Sequence, residues 1–115
     1  MISLHWERPA DGGWYALDSI DIGKIRTVGI FMIWHDGNPG RVIRVSQGDI
    51  GRQLQLEQIS PMVLKFRIFG ELRVTWASVP APLRNGVERY LANLFHPQVG
   101  DSYPLVMPLA ANAPW

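Results

Sequence analysis

The sequence predicts an α+β fold, in which helices flank a small central β-sheet that is mostly antiparallel. Two apolar, β-rich segments, residues 28–34 and 41–45, are joined by the turn residues HDGNPG. Further along, residues 81–95 carry apolar side chains at the spacing of a helix. The 115 residues are 47% hydrophobic and 18% charged, enough to bury a core without disulfides or metals. We therefore expect a single domain over residues 1–115.

The composition narrows the class of protein. The chain has no cysteine, which excludes disulfides, thiolate metal sites and cysteine nucleophiles. Its net charge is +1, so binding to nucleic acid would need a local basic patch rather than a general attraction. No apolar run approaches the roughly 18 residues that a membrane span needs, and the first residues lack the apolar core of a signal peptide. We expect no membrane partner, with the cytoplasm as the default location.

The sequence predicts irregular structure at both ends of the chain. In residues 1–27, Gly and Pro interrupt short apolar clusters, so we expect an irregular lead-in with a turn of helix near residues 20–25. Residues 97–115 contain repeated prolines, which favour an extended C-terminal tail.

The two central strands differ in their expected burial. Residues 28–34, VGIFMIW, are continuously apolar, as expected of a strand that is buried on both faces. In the returning strand RVIRV, strict alternation would place Ile43 and Val45 on one face. Val42 and Arg44 would then face the other side. Arg44 is either an inward charge that blunts an edge strand or a contact to a phosphate.

Residues 46–59, SQGDIGRQLQLEQI, predict a polar loop that opens a helix. Asp49 has the side chain of a helix N-cap, and Ile50 and Leu54 recur at positions i and i+4. The clearest helix is residues 81–95, whose second residue, a proline, suits the first turn. Its apolar stripe is expected to contain Leu83, Val87, Leu91 and Leu94.

Residues 61–79 are harder to interpret. Leu64, Phe66 and Ile68 alternate with polar residues, which predicts a strand that turns back at residues 69–71. The following segment, ELRVTWASV, is the firmer strand. The predicted order is therefore strand, strand, helix, an unassigned segment, strand and helix.

Two stretches resemble the motifs of the GIY-YIG endonuclease superfamily. GIFMIW, followed after a short turn by VIRVSQGDIGRQL, is similar to the Gly-Ile-Tyr and Tyr-Ile-Gly strands, polar loop and helix of that family. The later stretch NGVERYLANLF resembles the helix that supplies a Glu and places Glu88 there. The tail MPLAANAPW places Asn112 at the position of a family Asn. The likeness covers residues 28–115, implies a GIY-YIG nuclease-like fold, and favours a short helix over the hairpin in residues 61–70.

The resemblance implies metal-dependent hydrolysis of phosphodiesters. Glu88 would be the metal ligand and would hold Mg²⁺ or Mn²⁺, which polarises the scissile phosphate. Several groups of the family are replaced in this chain. Phe31 stands at the first tyrosine and lacks its hydroxyl, and Arg44 stands at the second, where it cannot act as a base. Ser46 replaces the glycine of the second motif.

The arginine position of the family falls on Gln53. Arg52 is one residue away, which is about 100° around a helix, so it substitutes only if the helix start shifts by one residue. The His or Tyr expected one turn later falls near Glu57. The resemblance thus implies catalytic roles for Glu88, Asn112 and Arg44 or Arg52, with Phe31 and Gln53 as degenerate positions.

Three functions remain open at this point. The leading hypothesis is a nuclease-like domain with lost or strongly reduced catalysis, which binds DNA or RNA or serves as an interaction module. Contacts to nucleic acid would come from Arg41, Arg44, Ser46, Gln47, Arg52 and Arg89. The alternatives are an active, divergent metal-dependent endonuclease that uses Glu88, and a regulatory protein that binds another protein chain in the old active-site cleft.

Simpler interpretations stand beside these. Glu88 lies off the apolar stripe and could be a solvated helix carboxylate. Gln47 and Asp49 could serve the loop and the helix N-cap, and the arginines could be scattered over the surface. The three histidines lack metal-ligand spacing. Four of the five tryptophans are expected in the core, and Trp115 is the one most free to contact a partner.

Overall fold

A computed structural model describes residues 1–100 and 102–115 of the chain. They form a four-stranded antiparallel sheet in the order β1-β4-β2-β3. The strands are β1 (Tyr15–Ala16), β2 (Val28–His35), β3 (Arg41–Asp49) and β4 (Leu72–Ser78). The helices are α1 (Ile50–Glu57), α2 (Pro61–Leu64) and α3 (Ala81–Phe95). The predicted α+β class, with helices flanking a small antiparallel sheet, is confirmed.

Strand β2 lies between β4 and β3 and is buried from Gly29 to His35, as its continuous apolar sequence predicts. The sheet separates two hydrophobic cores. The core on the α1 side contains Phe31, Ile33, Ile50 and Leu54. The core on the α3 side contains Ile30, Met32, Val87 and Leu91. Helices α1 and α3 therefore cover opposite faces of the sheet.

A β-bulge in β3 changes which of its side chains share a face. The register with β2 shifts between Ile33 and Trp34, which leaves Ile43 as the extra residue. Ile43 packs in the α1-side core, whereas Val42 and Val45 pack in the α3-side core. The predicted pairing of Ile43 with Val45 on one face is therefore wrong, because it assumed an unbroken strand.

Strand β3 is also longer than predicted. Ser46 to Asp49, expected as a polar loop, continue the pairing with β2. Helix α1 then begins at Ile50, and the carboxylate of Asp49 accepts a long hydrogen bond of 3.5 Å from Arg52 N. The predicted helix and N-cap are confirmed. The predicted loop is wrong, because the polar side chains of an edge strand resemble those of a loop.

Residues 61–68 are helical rather than extended. Pro61 opens α2, in which the amides of Val63 and Leu64 donate to Ser60 O, and a 3-10 turn over Lys65–Ile68 follows. The predicted hairpin is wrong, and the short-helix alternative is confirmed. The alternating pattern misled because its last apolar member, Ile68, is 82% exposed instead of packed.

Helix α3 is confirmed over Ala81–Phe95, and it ends at His96, whose φ of 49° is left-handed. Its buried residues are Gly86, Val87, Glu88, Leu91 and Ala92. Leu94, predicted on the apolar stripe, is instead 50% exposed, because it borders an open cavity at that end of the helix. No helix in the described part of the chain is long and apolar enough to cross a membrane.

The first and last segments of the chain run side by side. The side chain of Asn112 accepts from Leu4 N at 2.6 Å and donates to Leu4 O at 2.9 Å. The lead-in also supplies a 3-10 turn over Ile22–Lys24, which confirms the helical turn expected there. The short edge strand β1 was not expected; it adds to the free edge of β4.

Candidate functional site

Polar side chains collect along β3, the strand at one edge of the sheet. The outer side of β3 is contacted by the chain that follows α3, where Val99 N donates to Ile43 O at 2.8 Å. We call the polar side chains that meet here the edge cluster. Its members are Arg44 and Gln47 from β3, Glu57 from α1, Glu88 from α3, and Tyr103.

An ion pair between β3 and α1 is the first element of the edge cluster. Glu57 lies on the buried side of α1, together with Ile50 and Leu54, which directs its carboxylate at the sheet. Arg44 Nε lies 3.0 Å from Glu57 Oε1, and the two side chains are 26% and 9% exposed. Burial raises the pKa of Glu57, and the Arg44 guanidinium opposes that rise. Neither Arg44 Nε nor the other carboxylate oxygen, Glu57 Oε2, has an aligned hydrogen-bond partner among the described residues.

Glu88 is the second buried carboxylate of the edge cluster. It is only 7% exposed, so its interpretation as a solvated helix carboxylate is wrong. Gln47 Nε2 donates to Glu88 Oε2 at 2.7 Å and to Asn85 Oδ1 at 2.8 Å, which ties β3 to α3. Burial raises the pKa of Glu88, and the Gln47 hydrogen bond and then the charge of Arg44 oppose that rise.

Tyr103 approaches the edge cluster from the tail. Its phenolic oxygen is buried and makes no hydrogen bond with the described residues. Burial raises the pKa of Tyr103, the charge of Arg44 opposes the rise, and the charge of Glu88 adds to it. The hydroxyl is therefore held neutral beside one cation and one carboxyl group.

An open cavity of about 310 Å³ borders the edge cluster, with Arg44, Ser46, Met62 and Glu88 among its walls. Within residues 1–100 and 102–115, no three His, Asp or Glu side chains lie close enough together to hold a metal ion. Mg²⁺ and Mn²⁺ prefer several oxygen ligands. The carboxylate of Glu88 has one oxygen bound to Gln47 and a guanidinium nearby, which is a poor match for either ion.

The two degenerate family positions lie on the α1 side of the sheet. Phe31 is fully buried in that core and pairs across the strands with Ser46. Gln53 is half-buried on α1, where its side chain packs beside Gly48. Of these residues, Ser46 is the one that reaches the cavity wall.

Three predicted arginines lie outside the edge cluster. Arg41 is exposed at the start of β3, Arg52 is exposed on α1, and Arg89 is half-buried on α3. None of the three makes an ion pair with another described residue. Because α1 and α3 cover opposite faces, the sheet separates Arg52 from Arg89.

Asn112 is engaged with the first segment of the chain. Its side chain forms both hydrogen bonds with the main chain of Leu4, and its main-chain oxygen accepts from Trp6 Nε1 at 2.9 Å. None of these bonds involves the edge cluster, so the structure does not bring Asn112 together with Glu88.

Two members of the edge cluster were not identified as site residues from the sequence. Glu57 carried a usable signal, since it falls seven positions after Ile50 on the apolar stripe of a helix, where a carboxylate needs a partner. Tyr103 carried none, because a single aromatic residue in a proline-rich tail has no pattern that predicts its contacts.

Comparison with known proteins finds no match to this chain among protein-family models, curated proteins or solved structures. The resemblance to the GIY-YIG family therefore stands on the motifs in the sequence.

Proposed function

We propose that this chain is a GIY-YIG nuclease-like domain with lost or strongly reduced catalysis, which acts as a nucleic-acid-binding module. The observation that carries the proposal is the ion pair between Arg44 and Glu57. It occupies the strand position at which the resemblance expects the second tyrosine. A guanidinium paired with a buried carboxylate can contact a phosphate or stabilise the fold, but it cannot take a proton from water.

The other expected active-site positions support a loss of catalysis. Phe31 has no hydroxyl and is fully buried. Burial raises the pKa of Glu88, which disfavours the ionised form that a metal ion requires. Gln47 already occupies one of the two carboxylate oxygens. Among the described residues, these features leave no hydroxyl at either expected tyrosine position and no well-formed metal site at the cavity.

Unpaired cations support binding to a phosphate backbone. Arg41, Arg52 and Arg89 make no ion pair with the described residues, so no acid among those residues neutralises them by direct contact. Each cation that neutralises a phosphate releases counterions, so binding should weaken steeply as the salt concentration rises. The net charge of only +1 makes the attraction local to individual arginines, and Arg52 and Arg89, on opposite faces of the sheet, would contact different parts of a nucleic acid.

The loss of catalysis is tested by nicking of supercoiled plasmid DNA with Mg²⁺ and then with Mn²⁺. The wild type is compared with Glu88→Ala after circular dichroism has shown that both are folded. We expect no nicking by either protein. Nicking by the wild type that chelator and Glu88→Ala both abolish would show an active, divergent endonuclease and overturn this half of the proposal.

Binding is tested with labelled DNA and RNA over a series of salt concentrations. We expect Arg89→Gln to weaken binding and to reduce the slope of log K against log salt by about 0.9. The matched control is Arg67→Gln, because Arg67 is already paired with Asp18 at 3.8 Å. No binding to either nucleic acid at low salt would overturn the nucleic-acid half of the proposal.

A second candidate function is binding of another protein chain. It is favoured by large apolar side chains exposed within residues 56–69, a feature more common at interaction sites than on monomer surfaces. They are Leu56, Ile59, Met62, Ile68 and Phe69, each more than half exposed. A complex that survives nuclease treatment and is lost in Ile68→Asp, but not in Leu105→Asp, would support this function over nucleic-acid binding. Leu105 is a suitable control because it is an exposed apolar residue on the tail.

A further inference from the structure

A second cavity, of about 460 Å³, opens at the far end of the interface between β3 and α3. Its volume is in the range of small-molecule binding sites. Four aromatic side chains wall it, and we call this cavity the aromatic pocket. They are Trp14, Trp34, Phe95 and Trp115.

The aromatic rings form a connected surface rather than isolated contacts. Trp34 is buried at the base, and the ring of Trp115 lies 4.7 Å from it between centroids. Trp14 meets Trp34 edge-on at 5.2 Å, and Phe95 lies 5.6 Å from Trp115. Trp115 is 57% exposed, so one of its surfaces is available to a ligand. The expectation that Trp115 is the tryptophan most free to contact a partner is consistent with this position.

Two charged side chains, Arg41 and Asp36, line the aromatic pocket, and they differ in whether they are paired. Arg41 lines it and makes no ion pair with the described residues. Asp36 also lines it, but its carboxylate is occupied by Arg73 Nε at 3.1 Å and by Glu71 N at 2.8 Å. The guanidinium of Arg8 lies 4.1 Å from the ring centre of Trp14. A cationic ligand would therefore meet unpaired positive charge at this site.

We propose that the aromatic pocket binds the base of a nucleotide in a single-stranded nucleic acid, with Arg41 contacting the adjacent phosphate. An unpaired base has a flat face that stacks on tryptophan whatever its identity. A base in a duplex is already stacked and cannot enter an aromatic cavity without unpairing. An arginine beside stacking aromatics matches the anionic group that every nucleotide carries.

This inference rests on the proposed nucleic-acid binding and specifies the form that is bound. The aromatic pocket and the edge cluster lie at opposite ends of the same interface. Gln47 meets Glu88 at one end, and Val42 and Phe95 line the pocket at the other. Two helical turns separate Glu88 from Phe95, about 10 Å along the axis of α3. One short strand can therefore contact both places.

The experiment measures binding by quenching of tryptophan fluorescence and, with a labelled oligonucleotide, by fluorescence anisotropy. The probes are a single-stranded DNA decamer, the duplex of the same sequence, adenosine monophosphate, and inorganic phosphate. We expect the single strand to bind at least several-fold more tightly than the duplex. Inorganic phosphate alone should not quench, since it has no ring to stack.

Variants locate the binding site. Trp115→Ala should weaken binding of the single strand about tenfold, and Trp115→Phe should restore most of the affinity because it keeps an aromatic face. Arg41→Gln should weaken binding of the single strand and lower the salt slope by about 0.7. The matched control is Leu105→Ala, since Leu105 is an apolar residue of the tail that is 93% exposed and does not line the aromatic pocket.

The outcomes separate the pocket from the proposed function. Tight binding of the single strand that Trp115→Ala and Leu105→Ala weaken equally would overturn the pocket and leave the nucleic-acid-binding module intact. Binding of adenosine monophosphate without binding of any strand would overturn the proposed function and make a free nucleotide the ligand. Tighter binding of the duplex than of the single strand would overturn the assignment of a single-stranded base. Saturable quenching by tetramethylammonium, a cation without a base or a phosphate, would overturn it as well.

Discussion

Replacing Arg44 by methionine should lower the free energy of unfolding by about 3 kcal/mol at pH 7. Two unit charges at the observed 3.0 Å attract each other by about 5 kcal/mol at an effective dielectric constant of about 20. In the wild type, the cost of desolvating both ions offsets most of this attraction. Removing Arg44 alone leaves the carboxylate of Glu57 buried without a counter-charge, which typically costs about 3–5 kcal/mol. We take the lower value because the Arg44 side chain is 26% exposed.

The assay is urea unfolding of Arg44→Met, at pH 7 and again at pH 4. The cost should shrink at pH 4. Burial raises the pKa of Glu57, so its carboxyl group protonates as the pH falls and no longer needs a cation. The double variant Arg44→Met/Glu57→Leu should recover most of the lost stability, since it removes both buried charges. The control is Arg52→Met, an exposed arginine without an ion pair to the described residues, which should change stability by less than about 0.5 kcal/mol.

Two results would refute this reasoning. Equal stability of Arg44→Met and Arg52→Met at pH 7 would mean that the ion pair carries no stability. A cost that stays the same at pH 4 and pH 7 would mean that it arises from lost packing of the arginine stem and not from the charge of Glu57.

Three further substitutions test other parts of the structure, all by urea unfolding. Glu88→Gln should match the stability of the wild type below about pH 4 and exceed it at pH 7. The pKa of Glu88 is raised in the folded state, so the stability that the protonated Glu88 contributes at low pH is lost as the pH rises through this pKa. The opposite trend would contradict the burial of this carboxylate. Asn112→Ala should cost about 1–3 kcal/mol through its two hydrogen bonds to Leu4, whereas Asn93→Ala, on the exposed side of α3, should cost less than about 0.5 kcal/mol. Gly86→Ala should cost about 1–3 kcal/mol, because its Cβ would lie 2.5 Å from a leucine side chain of the tail, and an unchanged stability would mean that the tail packs elsewhere.

The regular elements could be predicted where burial imposes a simple pattern. Strand β2 is buried on both faces from Gly29 to His35 and is apolar as far as Trp34, and α3 shows its stripe at helical spacing. The pattern failed in β3, where Val42 and Ile43 are both apolar and either could face either core. The β-bulge at Ile43 therefore does not interrupt the apolar pattern of the sequence. The pattern failed again at Leu64 to Ile68, where apolar and polar residues alternate as in a strand although the segment ends in a 3-10 turn.

The candidate site was only partly predictable, because its members come from four separate segments. Motif order drew attention to Arg44 and Glu88, and both lie in the edge cluster. The same motif order proposed Asn112, whose side chain is bound to the first segment of the chain. Contacts between β3 and the tail, such as that of Tyr103, depend on long-range packing that no local pattern reports.

The double variant Arg44→Met/Glu57→Leu also separates the two interpretations of Arg44. As an inward charge, Arg44 protects a sheet edge that would otherwise pair with another chain. Strand β3 has a neighbouring strand on one side only, and its outer side is contacted at Ile43 by the chain that follows α3. Removing both charges would then restore stability but produce dimers or aggregates, visible as a change in sedimentation. As a phosphate contact, Arg44 would instead leave the double variant monomeric with weakened binding to nucleic acid. Because we expect the double variant to recover the stability of the fold, a change in either property, once urea unfolding has verified that stability, can be assigned to the edge of the sheet itself and not to unfolding.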